Sequence, residues 1–454
     1  MNKYLYILGL AGAALFSACS TSDDLSIGET PAIDKAKESV LIYEASQDSE
    51  EPITLGIGQS RGYTRTPLDT DVDEGFGNFK TESNRFIGVF CLATGTQTGV
   101  SNIPDAVASN HWSDDDDGEL GGLLVKLKDV PAIVRYSSST YNFKFWNTTT
   151  GKEEHYFYPM SNWMKYNFYA YYPQFNPSTI VIDEDENQKS KVEVTGYEID
   201  GSQDLIWGMS DQVPESSVSG ADPYSAKFSR LAKKKAADES GDISAYYPEF
   251  KFKHQLVQFN IYVKAVDATA LSSLQAVQAK VIDMYVDNAI YKLKFCVASQ
   301  ADGFNDCQLA MDGDLASVTK KLGIKKKSTN DNIFDGSAYL AFKSSDADVS
   351  TDDYNIGYVG YIMLPSPPTY KETDINPFKY RLVMKIGYDG SSNTDEVGVE
   401  LTPPAIPGTD PVQYGFIAGK KYNVIVRVQS PEEISAKAVL MEWGTGSTIE
   451  CFTE

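Results

Sequence analysis

Alternation is the feature that most limits what this chain can fold into. From Ile53 to Trp443, short runs of apolar residues separated by single polar ones recur, and no long stretch repeats at the period of a helix. Ile53-Thr54-Leu55-Gly56-Ile57 is the first run. Arg85 to Leu92, Tyr141 to Trp146, His155 to Pro159 and Tyr166 to Pro173 follow. Glu249 to Ala265 reads as one long strand. Val281 to Val286, Tyr358 to Leu364, Arg381 to Tyr388, Val397 to Leu401, Tyr422 to Val428 and Ala436 to Trp443 complete the series. A period of two places every second side chain on one face of a sheet, so these segments are expected as strands. The 28 Tyr and 21 Phe push the same way. Only Ala268 to Ala279 is a fair helical candidate. Phe228 to Ser244, rich in Lys, Ala, Asp and Gly, reads as a linker. With 454 residues there is chain enough for two or three cores. The expectation is mostly β, with two sandwich-like domains joined near residues 228–247.

The charge balance removes one class of partner. Against 63 Asp and Glu stand 40 Lys and Arg, a net of −23, whereas phosphate recognition draws on clustered basic side chains. Lys233-Lys234-Lys235 and Lys325-Lys326-Lys327 lack interleaved aromatics and read as solvated loops, so no nucleic acid is expected. Three His, at 111, 155 and 254, are too few and too scattered for a histidine-rich metal site. A calcium loop beginning at Ser113 would need an acidic twelfth ligand where Leu124 stands. The Asp69-Thr70-Asp71-Val72-Asp73 run has Glu74 in place of the turn glycine and Lys80 at the twelfth position. Neither metal nor cofactor is expected.

Enzyme signatures are missing from the sequence as well. It holds no phosphate-binding glycine loop with Lys-Ser/Thr, no Gly-x-Ser-x-Gly elbow and no His-Glu-x-x-His. Two carboxylates suffice for a glycosidase, but nothing singles out a pair. His254 faces the side of Phe252 and Leu256 and is expected as a packed, hydrogen-bonded core histidine rather than a catalytic base. Trp146, Tyr156, Trp163, Tyr169 and Tyr171 are able to stack on sugars, yet they fall on expected strands and are assigned mostly to packing. The expectation is a protein that is not an enzyme.

The first residues set the compartment. Lys3 precedes an apolar run from Tyr4 to Phe16, too short to span a bilayer, and the run ends Phe16-Ser17-Ala18-Cys19. Residues 1–18 therefore read as an export signal. The ending resembles a bacterial lipobox, in which Cys19 would carry the lipid, although Phe16 replaces the usual Leu; an ordinary secretory signal with an incidental cysteine is the alternative. Ser20-Thr21-Ser22-Asp23-Asp24 resembles the surface-export signal of Bacteroidota lipoproteins. Acyl chains on Cys19 would hold the chain to a membrane at about 0.8 kcal/mol per buried methylene. Cys296 and Cys307 flank a turn-like stretch and have the option of pairing in an oxidising compartment. Cys91 and Cys451 are expected free or buried.

Taken in order, several segments resemble the fimbrillin family of Bacteroidota pili. They are the Cys19 lipobox, the Arg-rich stretch after Ile53-Thr54-Leu55, Ile87-Gly88-Val89-Phe90, and the pair His155 to Pro159 and Phe168 to Pro173. Asp204-Leu205-Ile206-Trp207, Phe252 to Leu256, Gly419-Lys420-Lys421-Tyr422 and Glu442-Trp443-Gly444 continue the order. The resemblance implies two transthyretin-like, Greek-key β-sandwich domains in tandem, at residues 66–240 and 241–454, behind a tether and first strand at 19–65. It also implies a lipoprotein carried through the periplasm to the outer membrane. There an arginine-specific cut removes the first strand, and a strand from another pilin subunit fills the groove.

The residues can be read for the same cycle. A cut after Arg65, or alternatively Arg61, would remove lipid, tether and the strand carrying Ile53, Leu55 and Ile57, since cleavage concentrates at turn-rich exposed segments. The donor is expected near the C-terminus: either the strand with Val439, Met441 and Trp443 on one face, or residues 445–454 with Ile449 and Phe452, if the former completes its own domain. The leading expectation is a structural pilus subunit supporting adhesion. The alternative is a monomeric surface lipoprotein that binds glycans through exposed aromatics.

Overall fold

The computed structural model describes residues 51–57, 86–94, 112–113, 123–137, 140–158, 165–174, 179–210 without 188, 224–238, 247–342 without 302, 328 and 337, 354–388 without 355, 394–430 and 433–441. Residues 51–454 form one compact unit. It is mostly β, as the alternation requires.

Four main sheets make up this unit. The first has nine strands, and its path runs Gly56–Ile57, Glu249–His254, Ile206–Ser210, Lys165–Gln174, Phe86–Thr94, Leu123–Ser137, Thr140–Asn147, Lys152–Glu154, with Trp112–Ser113 beside Leu123–Ser137. The second is Gln308–Met311, Lys292–Ser299, Ser190–Glu198, Thr179–Glu184. The third is Gly357–Leu364, Val257–Ala265, Lys421–Ser430, Glu433–Met441. The fourth is Thr319–Gly323, Lys280–Ile290, Arg381–Gly387, Thr394–Glu400, with Leu340–Ala341 on the side.

Aromatic side chains bind the first sheet to the second. Tyr171 packs edge-on against Phe295 at 5.2 Å and against Tyr197 at 6.3 Å between ring centroids. The indole N–H of Trp207 donates to the Val297 carbonyl at 2.9 Å, and the Tyr197 hydroxyl donates to the Pro173 carbonyl at 2.9 Å. Phe86–Thr94 lies mid-sheet, with Ile87, Val89, Phe90, Cys91, Leu92 and Ala93 all buried. Gly88 is required there, because a Cβ would fall 2.5 Å from the Tyr171 ring and 2.2 Å from the Asp129 carboxylate.

The reading of Glu249 to Ala265 as one strand is refined by a change of sheet. Glu249–His254 belongs to the first sheet and Val257–Ala265 to the third, with only Gln255-Leu256 between them. Lys280–Ile290 and Lys292–Ser299 do the same between the fourth sheet and the second, around Tyr291. Strands from both sides of residue 240 therefore share the first and second sheets. The expected boundary falls just past a helix, not between two separately closed sets of strands.

That helix, α1 (Ala226–Asp238), corrects the linker expectation. Tyr224, Phe228 and Ala232 are buried at spacings of four, an apolar stripe that the Lys and Ala content hid. Ser225 starts it by accepting from the Phe228 amide at 3.1 Å. Ala and Lys are good helix formers, so the composition that looked like a tether favours a helix once one face has somewhere to pack. The second helix, α2 (Ala268–Ala276), lies within the expected 268–279, with the Asp267 side chain accepting from Ala270 N at 2.7 Å. The reading of both lysine runs as solvated loops is also corrected. Lys233 sits on α1, and Lys325 is buried beside Asp200 at 3.6 Å.

Candidate functional site

Residues 51–57 close the first sheet on itself. Glu51, Ile53 and Leu55 are buried, while Pro52, Thr54 and Gly56 are half-buried, the period of two written out in burial. On one side the segment runs antiparallel to the chain that continues from Lys152–Glu154. Ile53 N donates to the Tyr156 carbonyl at 2.8 Å, and Tyr158 N donates to the Glu51 carbonyl at 2.9 Å, around a Pro52–Phe157 bridge. On the other side it runs parallel to Glu249–His254, pairing Gly56 with Glu249 and Ile57 with Phe250, and Gly56 N donates to the Pro248 carbonyl at 2.9 Å. Pro52 is tolerated because these bonds use the amides of residues 53 and 56. The segment is thus a seam between the two ends of the sheet.

The flanks of the seam are aromatic. Phe143 meets Phe250 at 5.6 Å, Phe145 meets Tyr156 at 5.0 Å, and Tyr158 lies edge-on to Phe168 at 6.2 Å. From Phe168 the contacts continue to Tyr224 at 6.0 Å and on to Phe228 of α1 at 6.1 Å. Ile53 and Leu55 belong to the same buried core as these rings. Burial pushes the Tyr158 hydroxyl well above its ordinary range, and neighbouring ionisable groups, Cys91 first and Glu51 among them, add to this. Tyr156, which donates to Glu154 at 2.9 Å, is pushed up to about 12, first by burial and then by that carboxylate.

Glu51 is only 5% exposed, and its charge is met by α1. The Ser229 hydroxyl donates to Oε1, and Lys233 Nζ stands 2.5 Å from the same oxygen. A buried carboxylate is costly unless paired and hydrogen-bonded, and both conditions are satisfied here from one helix face. The sequence reading missed this pair. Its signal is a lysine and a serine four apart beside an apolar stripe of the same spacing, visible only once the run is read as a helix.

Val439 and Met441 lie in Glu433–Met441, which pairs along its length with Lys421–Ser430, Val439 opposite Asn423 and Met441 opposite Lys421. In this structure that strand completes a sheet of its own chain, one of the two arrangements left open by the sequence. Trp443, Ile449 and Phe452 lie outside the described residues, as do Cys19, Arg61, Arg65, both acidic runs, Trp163 and the side chain of Ile57. Tyr169 and Tyr171 are buried, while Trp146 and Tyr156 are half-buried. Cys296 and Cys307 are not joined in a disulfide; burial pushes Cys296 up to about 12 and holds Cys307 well above the usual thiol range.

His254 is hydrogen-bonded as expected, its Nδ1 to the Asp204 carboxylate, though it is half-buried rather than part of the core. The contact lies where the chain passes from the first sheet to the third: Gln255 N donates to Leu205 O at 2.7 Å and Gly419 N to Leu256 O at 2.8 Å. Gly419, at φ +74°, makes the turn that lets the backbone approach. Three of the sequence motifs thus meet at one structural junction.

No protein-family model matches the sequence, and no curated protein matches it. Solved structures similar to it include a candidate cell-adhesion protein from Bacteroides uniformis, at 13% identity and TM-score 0.38, over 87% of this chain and 100% of the other. The fimbrial anchor protein Mfa2 from Porphyromonas gingivalis is similar at 9% identity and TM-score 0.29, over 89% and 99%. The tip fimbrial protein Mfa3 from the same organism, with a C-terminal truncation, is similar at 9% identity and TM-score 0.28, over 86% and 100%. At these TM-scores the likeness decides neither fold detail nor function.

Proposed function

We propose that this protein is a fimbrial subunit that matures by losing its first strand and then accepts a strand from another subunit. Lipid on Cys19 would carry the precursor to the outer membrane. A cut after Arg65 or Arg61 would release everything before it, Ile53, Leu55 and Ile57 included. The observation that carries the reading is the seam: the segment such a cut frees is the one that joins the two ends of the first sheet. Its departure would bare the backbone of Tyr156 to Tyr158 on one side and Pro248 to Phe250 on the other. Two vacated aliphatic positions, worth roughly 1.5–3 kcal/mol each, would favour an incoming strand. This is β-strand addition with the vacancy made by proteolysis. The assembled fibre would serve adhesion.

The donor in this scheme is the C-terminal region. Since Glu433–Met441 pairs with its own chain, the donor is either that strand after it has swung away or the segment beyond it with Ile449 and Phe452. The test is an unheated denaturing gel of residues 20–454 before and after brief arginine-specific digestion. A ladder of detergent-resistant oligomers is expected only after cleavage, and not in an Arg61→Ala, Arg65→Ala protein. A clean shift to a shorter monomer would overturn self-polymerisation.

A further inference from the structure

The carboxylate contact at Glu51 belongs to two elements with different fates. If residues 51–57 leave, Glu51 leaves with them, whereas Ser229 and Lys233 stay. α1 is held independently of Glu51, by the burial of Tyr224, Phe228 and Ala232 and by the Ser225 cap. Ser229 and Lys233, one turn apart on one face, would then form a preformed receptor for a carboxylate at the end of an apolar groove. The remaining contacts of the segment specify the rest of the occupant. Amides are needed at the positions of Ile53 and Gly56, which donate to Tyr156 and Pro248. A small residue is favoured at the position of Gly56, where a Cβ would stand 3.2 Å from the Glu249 side chain and require it to shift.

We propose that this groove discriminates among strands, and that α1 reads a carboxylate two residues ahead of the first of two alternating aliphatic side chains. The partner is an extended segment of another polypeptide with the pattern acid, any, aliphatic, any, aliphatic, small. This rests on the release of residues 51–57 proposed above. Lys233 supplies the charge complement, and the present occupant, Glu51-Pro52-Ile53-Thr54-Leu55-Gly56, is the template.

The test uses the full chain with residues 58–66 replaced by the recognition site of a sequence-specific protease. After cleavage, a fluorescent peptide of residues 49–58 is titrated and its polarisation followed. The unaltered peptide is expected to enter, and the same peptide with Glu51→Gln to bind about tenfold more weakly. Against a Lys233→Glu protein the order should invert, with a Glu51→Lys peptide recovering the affinity. The 49–58 peptide with Leu55→Glu, which puts a charge where the second aliphatic side chain stands, should bind more weakly than the unaltered one. Equal binding of the unaltered and Glu51→Gln peptides would overturn the discrimination while leaving strand release standing. Equally tight binding of the Leu55→Glu peptide would overturn the pattern. Failure of the unaltered peptide to enter the cleaved protein would overturn strand release and the discrimination together.

Discussion

Two marginal strands of this molecule are held in opposite ways. Among the described residues Glu433–Met441 pairs on one side, along its length against Lys421–Ser430. Residues 51–57 have neighbours on both sides and touch each over only two or three positions. The first is held through a continuous backbone ladder, which is indifferent to sequence. The second depends on what its side chains reach, Ile53 and Leu55 in the core and Glu51 on α1. A long ladder opens only when its many bonds break together. Side-chain anchors suit a strand that is exchanged, because another segment with the same side chains can replace it.

The sharpest way to break this comparison is to empty the anchors. Leu55→Ala should cost about 2–5 kcal/mol of unfolding free energy in the intact protein, read from denaturant midpoints at unchanged slope. In protein cleaved after residue 57, with the segment washed away, the same substitution should cost nothing. Val426→Ala, in the buried strand beside Glu433–Met441, should cost about 1–3 kcal/mol both before and after cleavage. A cost for Leu55→Ala that survives cleavage would mean the segment never left.

Next in size is the α1 contact. Glu51→Gln should destabilise the intact protein by about 1–2 kcal/mol, discounted because Lys233 is 43% exposed, and high salt should narrow the gap. Ser225→Ala, which removes the cap of α1, should cost about 1 kcal/mol by the same assay and weaken the Glu51 contact indirectly.

The smallest effect is a titration. The fold holds Tyr156 as the neutral phenol, raised from 10.0 to about 12 mainly by burial. A raised pKa of this kind contributes stability that is complete below pH 10 and is lost as the pH rises through 12. Tyrosinate absorbance, with a Tyr156→Phe protein to assign the step, should therefore show this phenol titrating late, and earlier once residues 51–57 have gone. No movement on cleavage would separate Tyr156 from the seam.

Much of the fold was legible because alternation is local. Phe86–Thr94, Arg381–Gly387 and Lys421–Ser430 announce themselves through Val, Ile, Phe and Tyr at every second place. Leu123–Ser137 escaped notice because Lys126, Lys128, Asp129 and Pro131 interrupt its pattern; Ser190–Glu198 does alternate, in Lys191-Val192-Glu193-Val194, but with only two aliphatic side chains to announce it. Of the candidate site, Ile53 and Leu55 were legible for the same local reason. Their partners were not. Tyr156 and Phe250 lie far along the chain, and no local rule says which strand ends a sheet will bring together. Glu51 was missed because its meaning depends on α1, which was itself read from composition when spacing was the better guide.

The two strand runs that change sheets, Glu249 to Ala265 and Lys280 to Ser299, have a mechanical consequence. Each extends over on the order of 50 Å at the usual rise per residue. A pull along them passes from the first and second sheets into the third and fourth through covalent backbone, with ladder bonds on either side loaded in shear. Tension is shared over many bonds at once. A fibre of such subunits would yield first at the places where one chain is merely seated in the next.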